Sequence, residues 1–418
     1  MKKFVCLGKY VLAIAMAFTI VGVHADEEWG DKNAHPIRLK TEVDNYTQFF
    51  GPAMTGGLKL TGYEGRSDWP RLLASAAMSY GIMAGLTESL KHTVSEVRPD
   101  GTSADSWPSG HTAVSFVGAT ILHREYGMTR SPWFSMAGYG VATATGMLRV
   151  LNNRHWAGDV MAGAGIGIMS TEVAYALSDV FFRDKHLLRA HLETGSSSPS
   201  FVSVSMGLGF GSKEICFADN DEMAVSFHTA AVADAEGAWF LNDYVGVGGR
   251  LRTRITSIRS LDHFMEIADK AANAPMNAYY LSVDDHLAEF TPSAGIYLNI
   301  PLDNRFSLGT KGLVGCSFIQ KMDVNAHPQE AVNDESRATA WDFLTLDATN
   351  SVSLGTGLSV TYRYRPGYAW RLFLDYDITK KTYTMDTDLM PTLLESATYM
   401  KTQRMHYFTA GASFCINF

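Results

Sequence analysis

Three stretches decide how this chain is read: Lys91–Pro99 is KHTVSEVRP, Trp107–Thr112 is WPSGHT, and Leu148–Val160 is LRVLNNRHWAGDV. Lys91, Arg98, His111, Arg149, His155 and Asp159 bring one lysine, two arginines, two histidines and one aspartate into a short span of sequence. Lys91, Arg98 and Arg149 are suited to neutralising the oxygens of a phosphoryl group, and a planar guanidinium can grip two of them at once. Lys91 and Arg98 are seven apart, a spacing that predicts one face of a helix. Ser109 followed by Gly110 ahead of an apolar run predicts a helix start, where backbone N–H groups favour a bound phosphate. His155 and Asp159, four apart, predict stacking on one helical face, with the carboxylate holding one ring nitrogen and the other left to attack phosphorus. His155 then reads as nucleophile, His111 as the acid that protonates the leaving oxygen, and Asp159 as the group that fixes the His155 tautomer. His92, His123 and His186 match none of these roles, and Trp107 and Trp156 read as packing residues that flank the site.

The ordered set K-x6-R-P, P-S-G-H and R-x5-H-x3-D resembles the signature of the type 2 phosphatidic acid phosphatase superfamily. Lys91 with Arg98-Pro99, Pro108 to His111, and Arg149, His155 and Asp159 carry that resemblance, which extends over roughly residues 60 to 180. One position departs from the pattern: Leu148 stands where the family usually has a serine, which removes one hydrogen-bonding group near the phosphate. The resemblance implies a helical bundle of the phosphatase/haloperoxidase type, a phosphohistidine on His155, and catalysis without metal or cofactor. No zinc-type ligand set and no phosphate-cradling glycine loop stands out in the sequence.

The first 25 residues read as a secretory leader: Lys2, Lys3 and Lys9, a short apolar run from Val11 to Val23, and Val23-His24-Ala25 before Asp26. The formal charge of −8 becomes more negative once three leader lysines are removed, which argues against a nucleic-acid partner. Cys216, Cys316 and Cys415 are too few for a disulfide framework, and alternation puts Cys316 and Cys415 on opposite sheet faces. From Trp69 to Val180 the text is helical, in the runs Leu72–Leu86, Thr112–Tyr126, Trp133–Leu148 and Val160–Leu177. Polar residues interrupt or bound each run, which predicts a compact bundle folded in water rather than a set of membrane spans.

Beyond a polar linker containing Ser196, Ser197, Ser198 and Pro199 the hydrophobic period becomes two. Val202, Val204, Met206, Leu208 and Phe210 alternate with Ser203, Ser205, Gly207 and Gly209, and the chain closes with Phe408, Ala410, Ala412, Phe414, Ile416 and Phe418 in the same rhythm. About eight such segments, near 200–212, 222–233, 241–256, 289–300, 304–319, 352–365, 367–380 and 405–418, predict an antiparallel transmembrane β-barrel rather than a soluble sandwich. The terminal Phe418 resembles the last residue of bacterial outer-membrane barrels. The polar stretches Ser260–Glu289 and Lys321–Thr345 predict loops. An even strand count keeps both barrel termini on the periplasmic side, so the helical domain is expected to hang there.

The sequence therefore predicts a leader (1–25), a helical phosphatase domain (26–184), a linker (185–199) and an outer-membrane barrel (200–418). The activity expected is a metal-independent phosphomonoesterase acting on a lipid phosphate: phosphatidic acid, a lipid A phosphate or a polyprenyl diphosphate. Three alternatives compete with it: a nonspecific periplasmic acid phosphatase, a vanadate-dependent haloperoxidase, and a structural or adhesive barrel with a degenerate helical domain. The intact set Lys91, Arg98, Ser109, Gly110, His111, Arg149, His155 and Asp159 weighs against the last.

Overall fold

The computed structural model describes residues 42–99, 102–192, 198–217, 224–260, 279–283, 287–328, 341–388 and 396–418, so the predicted leader lies outside the described residues. The helical half comprises α1 (Val43–Thr47), α2 (Phe50–Leu60), α3 (Trp69–Thr93), α4 (Gly110–Leu122) with a π turn His123–Gly127, α5 (Pro132–Leu151) and α6 (Ala157–Phe182). Local chemistry sets the starts. Asp68 caps α3 by accepting from Arg71 N–H, Ser109 caps α4, and Ser131 caps α5 just ahead of Pro132. Each predicted helical run falls inside one of these elements or runs only a few residues past it.

The strands are β1 (Phe201–Gly211), β2 (Glu214–Cys216), β3 (Ala224–Phe227), β4 (Ala230–Phe240), β5 (Val245–Thr256), β6 (Ile258–Ser260) and β7 (Tyr279–Val283). They continue with β8 (Leu287–Pro301), β9 (Phe306–Ile319), β10 (Met322–Pro328), β11 (Trp341–Ala348), β12 (Ser351–Arg365), β13 (Tyr368–Asp388) and β14 (Ser396–Asn417). Eight of them close a ring, β1-β4-β5-β8-β9-β12-β13-β14, with β14 returning to β1 in antiparallel register from Phe201↔Asn417 to Gly211↔Tyr407. Seven predicted segments coincide with ring strands. The second does not: 222–233 straddles β3 and the start of β4, because the apolar residues on both sides of His228 and Thr229 read as one run when the chain actually turns there. The stretches predicted as loops contain β7, β10 and β11, which extend the β13 edge beyond the ring.

Alternation sends one set of ring side chains outward and the other inward. Cys316 accordingly is exposed while Cys415 is buried. The inward set is ionic. Arg252 reaches Asp234 at 2.6 Å, Asp375 at 2.7 Å and Asp377 at 2.6 Å; Arg250 holds Asp375 at 3.0 Å; Lys311 holds Glu236 at 2.8 Å; Lys381 holds Glu289 at 2.8 Å. Removing one partner of such a network leaves charges buried and uncompensated, which costs about 3–5 kcal/mol. Arg252→Ala is therefore expected to lower the unfolding midpoint of the barrel, read as its heat-modifiable gel shift, without changing turnover per folded molecule. An unchanged midpoint would show that the interior charges are solvated rather than paired.

The bundle does not hang from one end of the barrel. It lies against the barrel's outer wall, where Phe116, Tyr139, Ala142, Met147 and Val160 share one apolar core with Met206, Leu208, Trp370, Ala412 and Phe414. Gly146 makes this fit possible: a Cβ there would meet Val160 at 2.7 Å and Met206 at 3.1 Å. The sequence expectation of a domain below the barrel took the outward row of β1 and β14 to be lipid-facing throughout. Part of that row is instead the bed for α5 and α6. The first part of the segment read as a linker is tied down, since Leu188 N–H donates to Arg66 O and Leu192 N–H to Met128 O.

Candidate active site

All eight residues singled out from the sequence lie at one end of the bundle, where α3 and α5 end and α4 and α6 begin. His155 is 2% exposed and sits two residues before α6. Its Nδ1 lies 2.9 Å from the Ser106 carbonyl oxygen and 3.3 Å from Asp159 Oδ2. A carbonyl can only accept, so Nδ1 carries the hydrogen and, in the neutral ring, Nε2 keeps the lone pair. The tautomer required of a nucleophile is thus set by the backbone as much as by the carboxylate.

The i, i+4 spacing of His155 and Asp159 works differently from the helical stacking the sequence predicts. His155 lies outside α6, and Asp159 is the third residue of that helix, where its Oδ2 accepts from Trp156 N–H at 2.9 Å and from Ser106 Oγ at 2.5 Å. Cap geometry, not a shared helical face, brings the two together. Burial pushes the Asp159 carboxyl upward, against the pull of these donors and of Lys91 and Arg98. His155 is held well below its ordinary value, first by burial and then by Arg149, Arg98 and Lys91, so its ring is neutral near pH 7.

Lys91 and Arg98 also converge, but not along one helix. Helix α3 stops at Thr93, Val94 is extended, and Arg98 lies in the following loop, where its N–H bonds to Ser103 O. The two cations meet at Asp105: Lys91 Nζ lies 3.4 Å from Oδ2 and Arg98 Nε 3.1 Å from Oδ1. Asp105 is a residue that sequence reasoning missed. Its carboxyl is lowered to about 2, by Ser103 first and by Lys91 and Arg98 as well. Ser103 Oγ donates to it directly.

Asp44 on α1 is the second missed residue. Arg149 Nη1 donates to Asp44 Oδ2 at 2.6 Å, and Asn152 Nδ2 donates to Oδ1 at 2.9 Å, with the Asp44 carboxylate fully buried. The neighbouring Asn45 accepts from His111 Nε2 at 3.2 Å. No motif spacing points from residue 44 to residue 149. The only local signal was an acidic residue beside an amide, common on any surface. His111 is lowered to about 4, by burial first and then by Arg149 and His155.

Ser109 and Gly110 form the start of α4 as predicted, with Ser109 Oγ accepting from Thr112 N–H and Ser109 N–H donating to Asp159 O at 3.0 Å. Trp156 Nε1 donates to Val97 O at 2.9 Å, while Trp107 is buried, so both tryptophans pack the three motifs together. The result is two histidines, three cations and a helix N-terminus around one small volume, an arrangement that can hold a tetrahedral anion and attack it.

Residues 71–183 match the PAP2 superfamily. The chain is 41% identical over 181 residues to a lipid A 1-phosphatase of Porphyromonas gingivalis, an alignment that covers 42% of this chain and 40% of that relative. The chain thus spans well under half the length of the curated relative it matches. Among solved structures it is similar to a PAP2-type phosphatidylglycerolphosphate phosphatase from Bacillus subtilis, at 19% identity and a TM-score of 0.27, covering 44% of this chain and 100% of that one. It is also similar to the outer-membrane protein OprG from Pseudomonas aeruginosa, at 9% identity and a TM-score of 0.33, covering 54% and 99%. The helical half of this chain, over residues 71–183, carries a PAP2 superfamily domain.

Proposed function

We propose that the chain is an outer-membrane phosphatase that releases phosphate from a lipid through a phosphohistidine on His155. The observation that carries this reading is the Nδ1–H of His155 bound to the Ser106 carbonyl, which leaves Nε2 as the attacking nitrogen beside Arg149, Arg98 and Lys91. In the first step Nε2 forms a bond to phosphorus, the ester P–O bond breaks, and the leaving oxygen takes a proton delivered by His111. In the second, water attacks the phosphohistidine with its proton passing to His111, which regenerates His155. Asp159 stabilises the charge that appears on the ring, and the cations take the load on the phosphoryl oxygens.

Lipid A phosphate is the preferred substrate because the P. gingivalis relative is named for that reaction and the barrel anchors the site in a membrane. A phosphate-release panel of lipid A, phosphatidic acid, a polyprenyl diphosphate and a soluble aryl phosphate tests it. Preference for lipid A supports the reading, and turnover confined to the aryl phosphate would favour a nonspecific phosphatase. A halide-oxidation assay with vanadate tests the peroxidase alternative, because vanadate inhibits the phosphatase and activates the peroxidase.

The pH profile follows from the histidines. With His111 near 4, the empty site at neutral pH holds a neutral ring, so the proton for the leaving oxygen must arrive with a monoanionic phosphate. A phosphomonoester loses that proton at about pH 6. We expect kcat/KM on an alkyl phosphate to fall about tenfold per pH unit above about pH 7. The acid limb, set by protonation of His155, should lie below the ordinary histidine range. A flat profile from about pH 6 to 9 would contradict the role given to His111.

A further inference from the structure

The two ends of the barrel are distinguishable, and so are the two ends of the bundle. At one end lie the start of β1, the end of β14 and the short turns 241–244, 302–305 and 366–367; at the other lie the ends of β1, β5 and β9 and the starts of β4, β8 and β12, which are separated by 18, 30 and 31 residues of sequence. In bacterial outer-membrane barrels short turns face the periplasm and long loops face outward. Exposed aromatics mark both levels. Trp239, Tyr244 and Phe418 ring the short-turn end, and Phe290, Phe318 and Phe408 the long-loop end. Phe408 and Phe418, ten residues apart, are separated by about 25 Å along the membrane normal, the height of the apolar band of such barrels.

The bundle runs alongside with a definite polarity. Its catalytic end touches the long-loop end: the Trp156 ring lies 4.4 Å from the His228 ring, tilted by 54°, and His228 N–H donates to Ser257 O just before β4 begins opposite Gly209. Gly209 is adjacent to Phe210, the partner of Phe408. The far end of the bundle touches the short-turn end, where Tyr364 bonds His123 Nε2 at 3.0 Å and Tyr368 donates to Gly127 O. Helix α6, 26 residues long, spans about 39 Å, and the hydrocarbon layer is about 30 Å thick.

The helices also bury polar groups and expose apolar ones. In α3 the buried positions include Arg71, Ser75, Ser79 and Thr87, while Leu73 is 60% exposed. Leu60 on α2 and Phe181 on α6 are 78% and 73% exposed. Leu72, Met83, Val117 and Ile166 form an apolar core in the same bundle, so it is the exposed apolar set, not an inverted interior, that points to lipid. The serines of α3 lower its hydropathy but lie inside the bundle, so they do not argue against lipid contact on the outer face.

We propose that the bundle lies in the outer membrane beside the barrel with its catalytic pocket opening at the cell-surface leaflet, and that its substrate is a phosphorylated lipid of that leaflet. The inference rests on the phosphatase reading for its chemistry but on separate observations for its topology. Val43, Tyr46 and Phe49, exposed on and beside α1, which carries the Arg149 partner Asp44, offer apolar surface to acyl chains next to the catalytic residues.

The test uses whole cells expressing the full chain. An aryl phosphate coupled to a dextran too large for outer-membrane pores is supplied to intact and to lysed cells, with His155→Ala cells as blank. In a Cys216→Ser/Cys316→Ser background, Glu88→Cys near the catalytic end and Asp243→Cys on a short turn are probed with an impermeant polyethylene glycol maleimide. Hydrolysis by intact cells, with labelling of position 88 but not 243 before lysis, is the expected result. Hydrolysis only after lysis, or labelling of 243 but not 88 in intact cells, overturns the topology and leaves the phosphatase standing. No hydrolysis in either preparation overturns the phosphatase reading and this inference with it.

Discussion

Phosphate release by His155→Ala is expected to drop by about 10⁴-fold or more, because no other group is placed to form the bond to phosphorus. The acid-labile phosphoryl label that wild-type protein acquires from substrate should vanish with it. His111→Ala should behave differently. It removes the proton donor but not the nucleophile, so turnover of an alkyl phosphate should fall by about 10²–10⁴-fold while an aryl ester with a good leaving group is affected far less. In both variants the barrel should keep its heat-modifiable mobility, because neither ring contacts the strands that close it. Equal losses for His111→Ala on both esters would mean that His111 is not the acid. Full activity of His155→Ala on every phosphate would end the phosphohistidine assignment.

Arg149→Ala carries the second large effect, and it has two separable parts. Loss of one charge-bearing donor at the phosphoryl oxygens should lower kcat/KM by about 10²–10³-fold. The same substitution strands the buried Asp44 carboxylate, at a cost of about 3–5 kcal/mol. Adding Asp44→Asn to Arg149→Ala should restore thermal stability without restoring activity, since an amide tolerates burial but offers phosphate no cation. Recovery of activity in the double variant would show that Asp44, rather than phosphate, is what Arg149 exists to bind. Asp44→Asn alone should keep the fold and reduce kcat/KM by a smaller factor, because Arg149 loses its anchor while keeping its charge.

Much of the site was legible because the chemistry is carried by few residue types at fixed spacings. Ser109 and Gly110 announced a helix start, and the structure has one. Lys91 and Arg98 do come together, although not by the stated geometry: the helix ends between them, and a shared carboxylate rather than a shared face joins them. Asp44 and Asp105 went unnoticed for one reason. Each acts by neutralising motif cations from a segment that carries no motif of its own, and a carboxylate's partner is a matter of distance in space. In the barrel half, alternation located seven ring strands, and it failed near His228 because a two-residue turn leaves the apolar count on either side undisturbed.

The sequence alone determined the clustered histidines and cations, the helical and period-two halves, and a strand count that can close without an edge. Those properties depend on local order along the chain, where spacing translates directly into caps and alternating faces. Only the tertiary structure decided which carboxylates pair with Lys91, Arg98 and Arg149, which His155 nitrogen is bound to the Ser106 carbonyl, and where the bundle sits. An outward apolar row on β1 and β14 is equally suited to lipid and to another apolar surface, because burial of hydrocarbon has no direction. Packing chose between them, with Gly146 letting Met206 and Val160 close against α5.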